Sequence, residues 1–413
     1  MVLSSLKLKW RTDLEKSVLT NNWEKRGWTR AGADDEWNIY WALPHNVKGK
    51  IFNPDSGIRL NENQILNHFP NSDELCKKDL MVKNIKRYRK DLERENNPIS
   101  EKDDQGRYIH MDIVPQTYIF PGDYNIFVEE FRRQPNSTWI MKPSHRAQGQ
   151  GIFLVTKLTQ LKKWATESKM PFQNNQGYKE SYVISKYLED PLLIGGKKFD
   201  LRIYVLVTNF RPLKVYLYEL GFARFCVEKY NNDFEQRENM FIHLTNVAIA
   251  KQNQNYNDKH GGKWTLQNLR FYLEQTAGSQ PTNKCFDDIN NIIYISLKAV
   301  QNVVINDKHC FELYGFDVLL DANLKPWLIE VNASPSLSTT TEMDRTIKMN
   351  LISDTFRIVI PPEWSDENSK RGTNLCKEDK VGFYNKIIDE TAQDPKDKQT
   401  KGNNRKGGAQ LWR

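Results

Sequence analysis

Residues 314–335 read YGFDVLLDANLKPWLIEVNASP, two apolar runs (316–320 and 327–331) on either side of turn-prone residues 321–326. That is the pattern of an antiparallel hairpin. A four-residue loop, 322–325, sets Asp321 across from Pro326, and counting back along both strands sets Asp317 across from Glu330. Two carboxylates then meet across the ladder. Because side chains alternate along a strand, Asn332 shares the face of Glu330, and three oxygen donors converge. Like charges so placed repel unless a cation lies between them. Few hard oxygen ligands, with no His or Cys among them, suit magnesium, which keeps waters and shares its shell with nucleotide phosphates. The expectation is a nucleotide–magnesium site. The competing expectation is two solvated acids on a polar hairpin face; against it, both acids interrupt otherwise apolar strands, where an unpaired charge is costly.

Upstream, three stretches point the same way. Residues 138–155, TWIMKPSHRAQGQGIFLV, are two apolar strands around a loop holding Gly149 and Gly151, with Lys142 closing the first strand. Such a loop admits phosphates to backbone amides, and a lysine leaving a strand can neutralise them. It is no Walker loop, since no GK[ST] follows and the next element is a strand. Residues 197–207, KKFDLRIYVLV, alternate so that Lys198, Asp200 and Arg202 share one face while Phe199, Leu201 and Ile203 share the other. This reads as a lined site or as a charge-protected edge strand. Arg224, inside the apolar GFARFCV, needs an anion, either a ligand carboxylate or an internal salt bridge. The HLTN at 243–246 precedes a long polar loop, 251–263.

Other elements frame these. Residues 1–70 read as a small α/β unit. Residues 74–94 are helical in spacing, with eight Lys or Arg against four Asp or Glu, either a solvated face or a groove for an acidic polymer. Asp123 is placed to cap a helix. A helix followed by a polar loop is expected over 156–179, and further helices over 264–273 and 286–304, where Ile289, Ile293, Leu297, Val300 and Val304 form one stripe. Beyond residue 362 the composition turns polar and then basic, the pattern of a largely disordered tail.

The chain has 413 residues and a formal net charge of +8, favouring an acidic partner. Five widely spaced cysteines with no CxxC indicate neither a disulfide framework nor zinc, and a reducing compartment fits. No apolar run reaches membrane-spanning length, and no signal peptide is expected.

Taken together, WIMKP with QGQG, KFDLRIYVLV, GFARF, HLTN and YGFDVLLD with WLIEVNASPSL resemble the tubulin-tyrosine-ligase-like family of ATP-grasp ligases over residues 5–360. IEVNASPSLS, DKHCFELYG and DLMVKNIKRYRK resemble its polyglutamylase branch more narrowly. The resemblance implies an α/β (α+β) ATP-grasp fold: an N-terminal unit (1–70), a central unit with the basic helix and phosphate loop (71–188), a C-terminal unit with the metal site (189–361), and the tail (362–413). It implies ATP as co-substrate and Mg2+ as cofactor. For ATP it implies Lys142 at the phosphates, Gln148 and Gly149 in the loop covering them, and Ser185, Lys186, Tyr187 and Leu188 at adenine. Lys198, Asp200, Thr245 and Asn246 would also contact nucleotide. Arg202 would be the catalytic residue at the transferring phosphoryl group, Arg224 and Lys263 would hold free L-glutamate, and Asp317, Glu330 and Asn332 would hold the metal. Ala333 departs from the His that some autonomous members carry there. The implied partners are tubulin C-terminal tails, microtubules and further subunits of a polyglutamylase complex, with no nucleic acid and no membrane. The implied location is cytoplasm and cytoskeleton, including the axoneme and basal body of a cilium. A glycine or tyrosine ligase of the same fold, or a catalytically silent microtubule-binding subunit, stay open as alternatives.

Overall fold

The structure is a computed structural model, and it describes residues 7–392 except 33–34, 147–148, 168–180, 232–238, 257–261, 362–363, 365–375 and 377. Gln148, residues 168–179 of the helix and polar loop expected over 156–179, part of the 251–263 loop and most of the expected tail lie outside the described residues.

Three sheets build a mixed α/β fold. The first is parallel throughout, in the order β2-β1-β3-β4, from β1 (Lys9–Thr12), β2 (Thr29–Arg30), β3 (Ile39–Trp41) and β4 (Ile65–Leu66). Its aromatic residues explain why so short a sheet is ordered. Trp10 stacks on Trp23 of helix Ser17–Glu24 at 4.4 Å, and Trp23, Trp28 and Trp41 all reach Phe356 of helix Glu342–Val359. The second sheet is antiparallel, in the order β5-β8-β6-β7, from β5 (Thr117–Phe120), β6 (Trp139–Pro143), β7 (Phe153–Val155) and β8 (Tyr182–Lys186).

The third and largest is organised by β10 (Lys197–Phe210), which β9 (Leu193–Ile194) precedes. β10 is buried on both faces, as a central strand must be: its first half carries Lys198, Asp200 and Arg202 on one face, and from Ile203 to Val207 it is a continuous apolar run. Along one edge it pairs with β14 (Glu312–Leu320). Along the other it pairs first with β12 (Phe222–Phe225) and then with β11 (Leu213–Tyr218). The chain turns between these two at Gly221, where a Cβ would stand 2.4 Å from the Arg202 carbonyl oxygen, so only glycine fits. β13 (Lys263–Thr265) extends β12, and β15 (Pro326–Asn332) pairs with β14. Helix Ser279–Val300 covers the sheet with the expected stripe, but it starts earlier than residue 286 because Pro281 is tolerated in a first turn. Trp264 is strand, and the helix expected from it begins at Leu266.

Two further corrections concern the ends of elements. Asp123 stands at the N-cap of helix Tyr124–Arg133 but makes no capping bond; its carboxylate accepts instead from the Ile119 N–H at 2.8 Å. Within the stretch expected to be a disordered tail, β16 (Lys380–Val381) and β17 (Tyr384–Asp389) form a hairpin that extends the large sheet from β11. Composition hid it because only Val381, Tyr384, Ile387 and Ile388 carry the apolar signal.

Candidate active site

The hairpin of β14 and β15 brings Asp317 opposite Glu330, as the sequence predicts, by a different count. The ladder closes at Leu320 and Pro326, one residue earlier than expected, and a bulge between Val318 and Asp317 absorbs the shift at Ile329. Asn332 pairs with Gly315, and its side-chain amide lies 3.3 Å from Asp317 Oδ2. The neighbouring rungs complete the cluster: Arg202 is the β10 partner of Asp317, and Asp200 is the partner of Arg224 on β12.

Charge is matched closely here. Asp317, 2% exposed, receives Arg202 through two bonds of 2.6 and 3.0 Å and Arg224 Nη2 at 2.9 Å. Burial pushes its carboxyl upward, but the two guanidinium groups outweigh burial and hold it far below the usual carboxylate range. Arg224 also grips Asp200 at 2.8 and 2.5 Å, and Thr245 Oγ1 donates to the same carboxylate at 2.7 Å. Of the two anions open to Arg224 in the sequence reading, the internal salt bridge is the one present. Lys78 Nζ stands 3.1 Å from Glu330 Oε2.

A cavity opens from this cluster between the second and third sheets. Lys142, Lys198, Asp200, Thr245 and Asn246 line it on the polar side, and Ser185, Lys186, Tyr187 and Leu188 border it where β8 passes into the large sheet. Lys142 has its pKa pushed down to about 8 by burial, with Lys78 and Lys198 adding to the effect and Glu330 opposing it. Lys198 Nζ rests 3.0 Å from the Tyr187 hydroxyl, which is 2.8 Å from His243 Nδ1. Gly149 has φ +80°, and a Cβ there would meet Ile249 Cδ1 at 2.4 Å, so the glycine lets the loop close down over residues 246–249.

A second cavity of about 370 Å3 shares Arg224, Asn246 and Glu330 with the first. Its floor carries Arg202, Lys263 and Lys348, and its wall carries Ser334, Ser338 and Thr340. Lys263 donates to both oxygens of buried Asp344 at 2.9 and 2.7 Å, so in the ligand-free chain it too has an internal partner. Lys348 is pushed down to about 8 by burial, with Asp344 opposing and Lys263, Arg202 and Arg224 adding to the effect. Arg202, Arg224, Lys263 and Lys348 line this cavity, with Asp317, Asp200 and Asp344 as the internal partners of the first three.

Two oxygen acids and one amide are gathered at the hairpin, and among the described residues no set of three or more His, Cys, Asp and Glu side chains is. This donor set suits a hard cation completed by waters and phosphates. Within the chain the Asp317 oxygens accept from Arg202 and Arg224, and Glu330 Oε2 faces Lys78 Nζ.

The basic helix divides differently from expectation. It is broken at Lys77 into Asp73–Cys76 and Lys78–Arg94. Lys86 and Arg87 donate to the carbonyls of Thr117 and Ala299, and Arg89 donates to that of Met111. Much of the positive charge is therefore structural, tying the helix to its neighbours, while Lys78 faces the site. Lys78, His243 and Lys348 were not singled out from sequence.

Comparison with known proteins adds the following. The family model described as "Tubulin-tyrosine ligase family" matches residues 58–368. The chain is 57% identical over 393 residues to "Probable alpha-tubulin polyglutamylase Ttll1" of Tetrahymena thermophila, covering 95% of each. It is 39% identical over 378 residues to "Probable tubulin polyglutamylase TTLL9" of Bos taurus, covering 85% of this chain and 79% of that one. It is 33% identical over 339 residues to "Tubulin polyglutamylase TTLL5" of Homo sapiens, of which the match spans 24%.

Proposed function

Because the chain belongs to the tubulin-tyrosine ligase family, we propose that it is an ATP-dependent ligase that adds free L-glutamate to glutamate side chains in the acidic C-terminal tails of tubulin. The observation that carries this reading is the junction of the two cavities at Arg224, Asn246 and Glu330: the cavity lined by Lys142 and Lys198 and the cavity lined by Lys263 and Lys348 share one charged wall. The ATP-grasp division into units 1–70, 71–188 and 189–361, partner subunits, and work on cytoplasmic and axonemal microtubules belong to the same reading.

A carboxylate is a poor electrophile, so amide synthesis needs one of its oxygens made into a leaving group. The acceptor side-chain carboxylate oxygen attacks the γ-phosphorus of ATP, the bond to the bridging oxygen breaks, and ADP leaves with the electron pair. The amine of free glutamate then attacks the carbonyl carbon of the acyl phosphate, phosphate leaves, and the amine gives up a proton to water. Lys142 and Lys198 offset charge on the phosphates, and Arg202 stabilises the transferring group. Such electrostatic groups are typically worth about 3 to 4 kcal/mol each. Asp317, Glu330 and Asn332 are the residues that would hold magnesium, which supplies further charge compensation to phosphate oxygens. Arg224, Lys263 and Lys348 suit the two carboxylates of glutamate. Glycine or tyrosine offers those cations one carboxylate where glutamate offers two.

The test is incorporation of labelled glutamate into microtubules, with and without cell extract to supply partner chains, in competition with glycine and tyrosine. Glutamate alone is expected to be incorporated, and Glu330→Gln is expected to abolish incorporation with the fold intact. Equal incorporation by that variant contradicts the metal assignment, and absence of any magnesium-dependent ATP binding points to a silent microtubule-binding subunit.

A further inference from the structure

We propose that the N-terminal sheet positions the wall of the amino-acid cavity, with His68 and Lys16 as its positioning residues. The inference rests on reading the second cavity as the glutamate pocket. None of the described residues before Lys78 lines either cavity. Yet the N-terminal region touches the loop 333–341 at two serines that do. His68 Nε2 lies 3.3 Å from Ser334 Oγ, and Lys16 Nζ donates to Ser338 Oγ at 3.1 Å.

His68 is held with unusual firmness for a residue outside the site. It is 1% exposed, and its Nδ1 is 2.8 Å from Oε1 of Glu312, which is 0% exposed and also accepts from the Phe69 N–H at 2.9 Å. A buried His–Glu pair is a poor source of stability compared with apolar packing, so its value lies in fixing one arrangement. What it fixes is a distance from β14. Glu312 begins the strand that carries Asp317, and Leu66 on β4 is stitched to the same strand's approach by bonds from its N–H to the His309 carbonyl (2.9 Å) and to its carbonyl from the Phe311 N–H (3.0 Å). Ser334 is thereby referenced to the strand bearing the reacting centre. From the opposite side Lys348 Nζ donates to the Ser338 carbonyl at 2.6 Å. The loop is gripped between the N-terminal sheet and helix Glu342–Val359, and the grip sets how far the hydroxyls stand from Arg224 and Lys263.

The test uses the full chain with magnesium and a non-hydrolysable ATP analogue, measuring glutamate affinity by calorimetry and amide hydrogen exchange over residues 333–341. His68→Gln and Lys16→Met are each expected to speed exchange in that loop and to weaken glutamate by about fivefold, the weight of one hydrogen bond, with analogue affinity within about twofold of wild type. Ser334→Ala leaves the Glu312 pair intact and is expected to reproduce the glutamate loss. A double variant, His68→Gln with Ser334→Ala, is expected to be no weaker than either single one. Faster exchange with unchanged glutamate affinity, or parallel loss of analogue and glutamate, overturns the inference. A wild-type chain that binds analogue but no glutamate overturns the reading of the cavity itself, and the inference with it.

Discussion

Asp317 shows how one side chain can be read from sequence while its surroundings cannot. Its position opposite Glu330 follows from strand alternation, but its two guanidinium partners come from strands about a hundred residues earlier, and nothing local announces them. Replacing it by asparagine leaves Arg202 without its bidentate partner and Arg224 with Asp200 alone. Asp317→Asn is expected to destabilise the chain by about 3 kcal/mol, read by denaturant titration. Because the native carboxyl is depressed, this contribution is present at neutral pH and is lost progressively as pH falls from the ordinary carboxylate range through the low folded-state value. Lys142 predicts the opposite pH window. With its pKa near 8 it is largely neutral in the free chain at higher pH, and bound phosphates recharge it. ATP binding at about pH 9 is therefore expected to take up close to one proton more than Lys142→Met does, and at about pH 6.5 the two are expected to match, as read from binding heats in buffers of different ionisation enthalpy. Lys78 and Lys348 are legible from the apolar stripe on which they sit rather than from their charge. Lys348 and Asp344 sit among Ile347, Leu351 and Ile352 on the buried face of their helix, and Lys78 continues the stripe of Met81, Val82 and Ile85 in a first turn where the helix dipole disfavours a cation. A charge on an apolar stripe was the available signal.

At the scale of elements, the alternating charges at its start located β10, and two apolar runs about a turn located β14 and β15. The bulge at Ile329 was illegible, since a one-residue irregularity leaves the apolar run unchanged. The β16–β17 hairpin was misjudged for a different reason: it is short, polar on one face, and held by partners far away in sequence. Tyr384 is its anchor, fully buried, with its ring 4.6 Å from Tyr218 and its hydroxyl 2.9 Å from that of Thr355. Tyr384→Ala is expected to cost about 3 kcal/mol of stability, measured by denaturant or thermal unfolding. A loss below about half a kcal/mol, the range of ordinary surface substitutions, contradicts the hairpin's place in the core sheet.

For the whole molecule, the mixed α/β class and the pairing of Asp317 with Glu330 were legible because each depends on local pattern, whereas the two-cavity arrangement depends on separate sheets meeting. The net charge of +8 suggested an acidic partner without saying where it binds, and the helix that seemed to offer a groove directs much of its charge to backbone carbonyls instead. What unites these scales is the proposal that the cluster of Arg202, Arg224 and Lys78 with the hairpin carboxylates serves to activate an acceptor carboxylate for amide synthesis. The most direct measurement of that account supplies acceptor glutamate labelled with 18O in its side-chain carboxylate, in the presence of ATP, magnesium, free glutamate and partner chains. Activation through an acyl phosphate predicts one 18O atom in the released phosphate for each amide bond formed; phosphate free of label, with amide still produced, contradicts it.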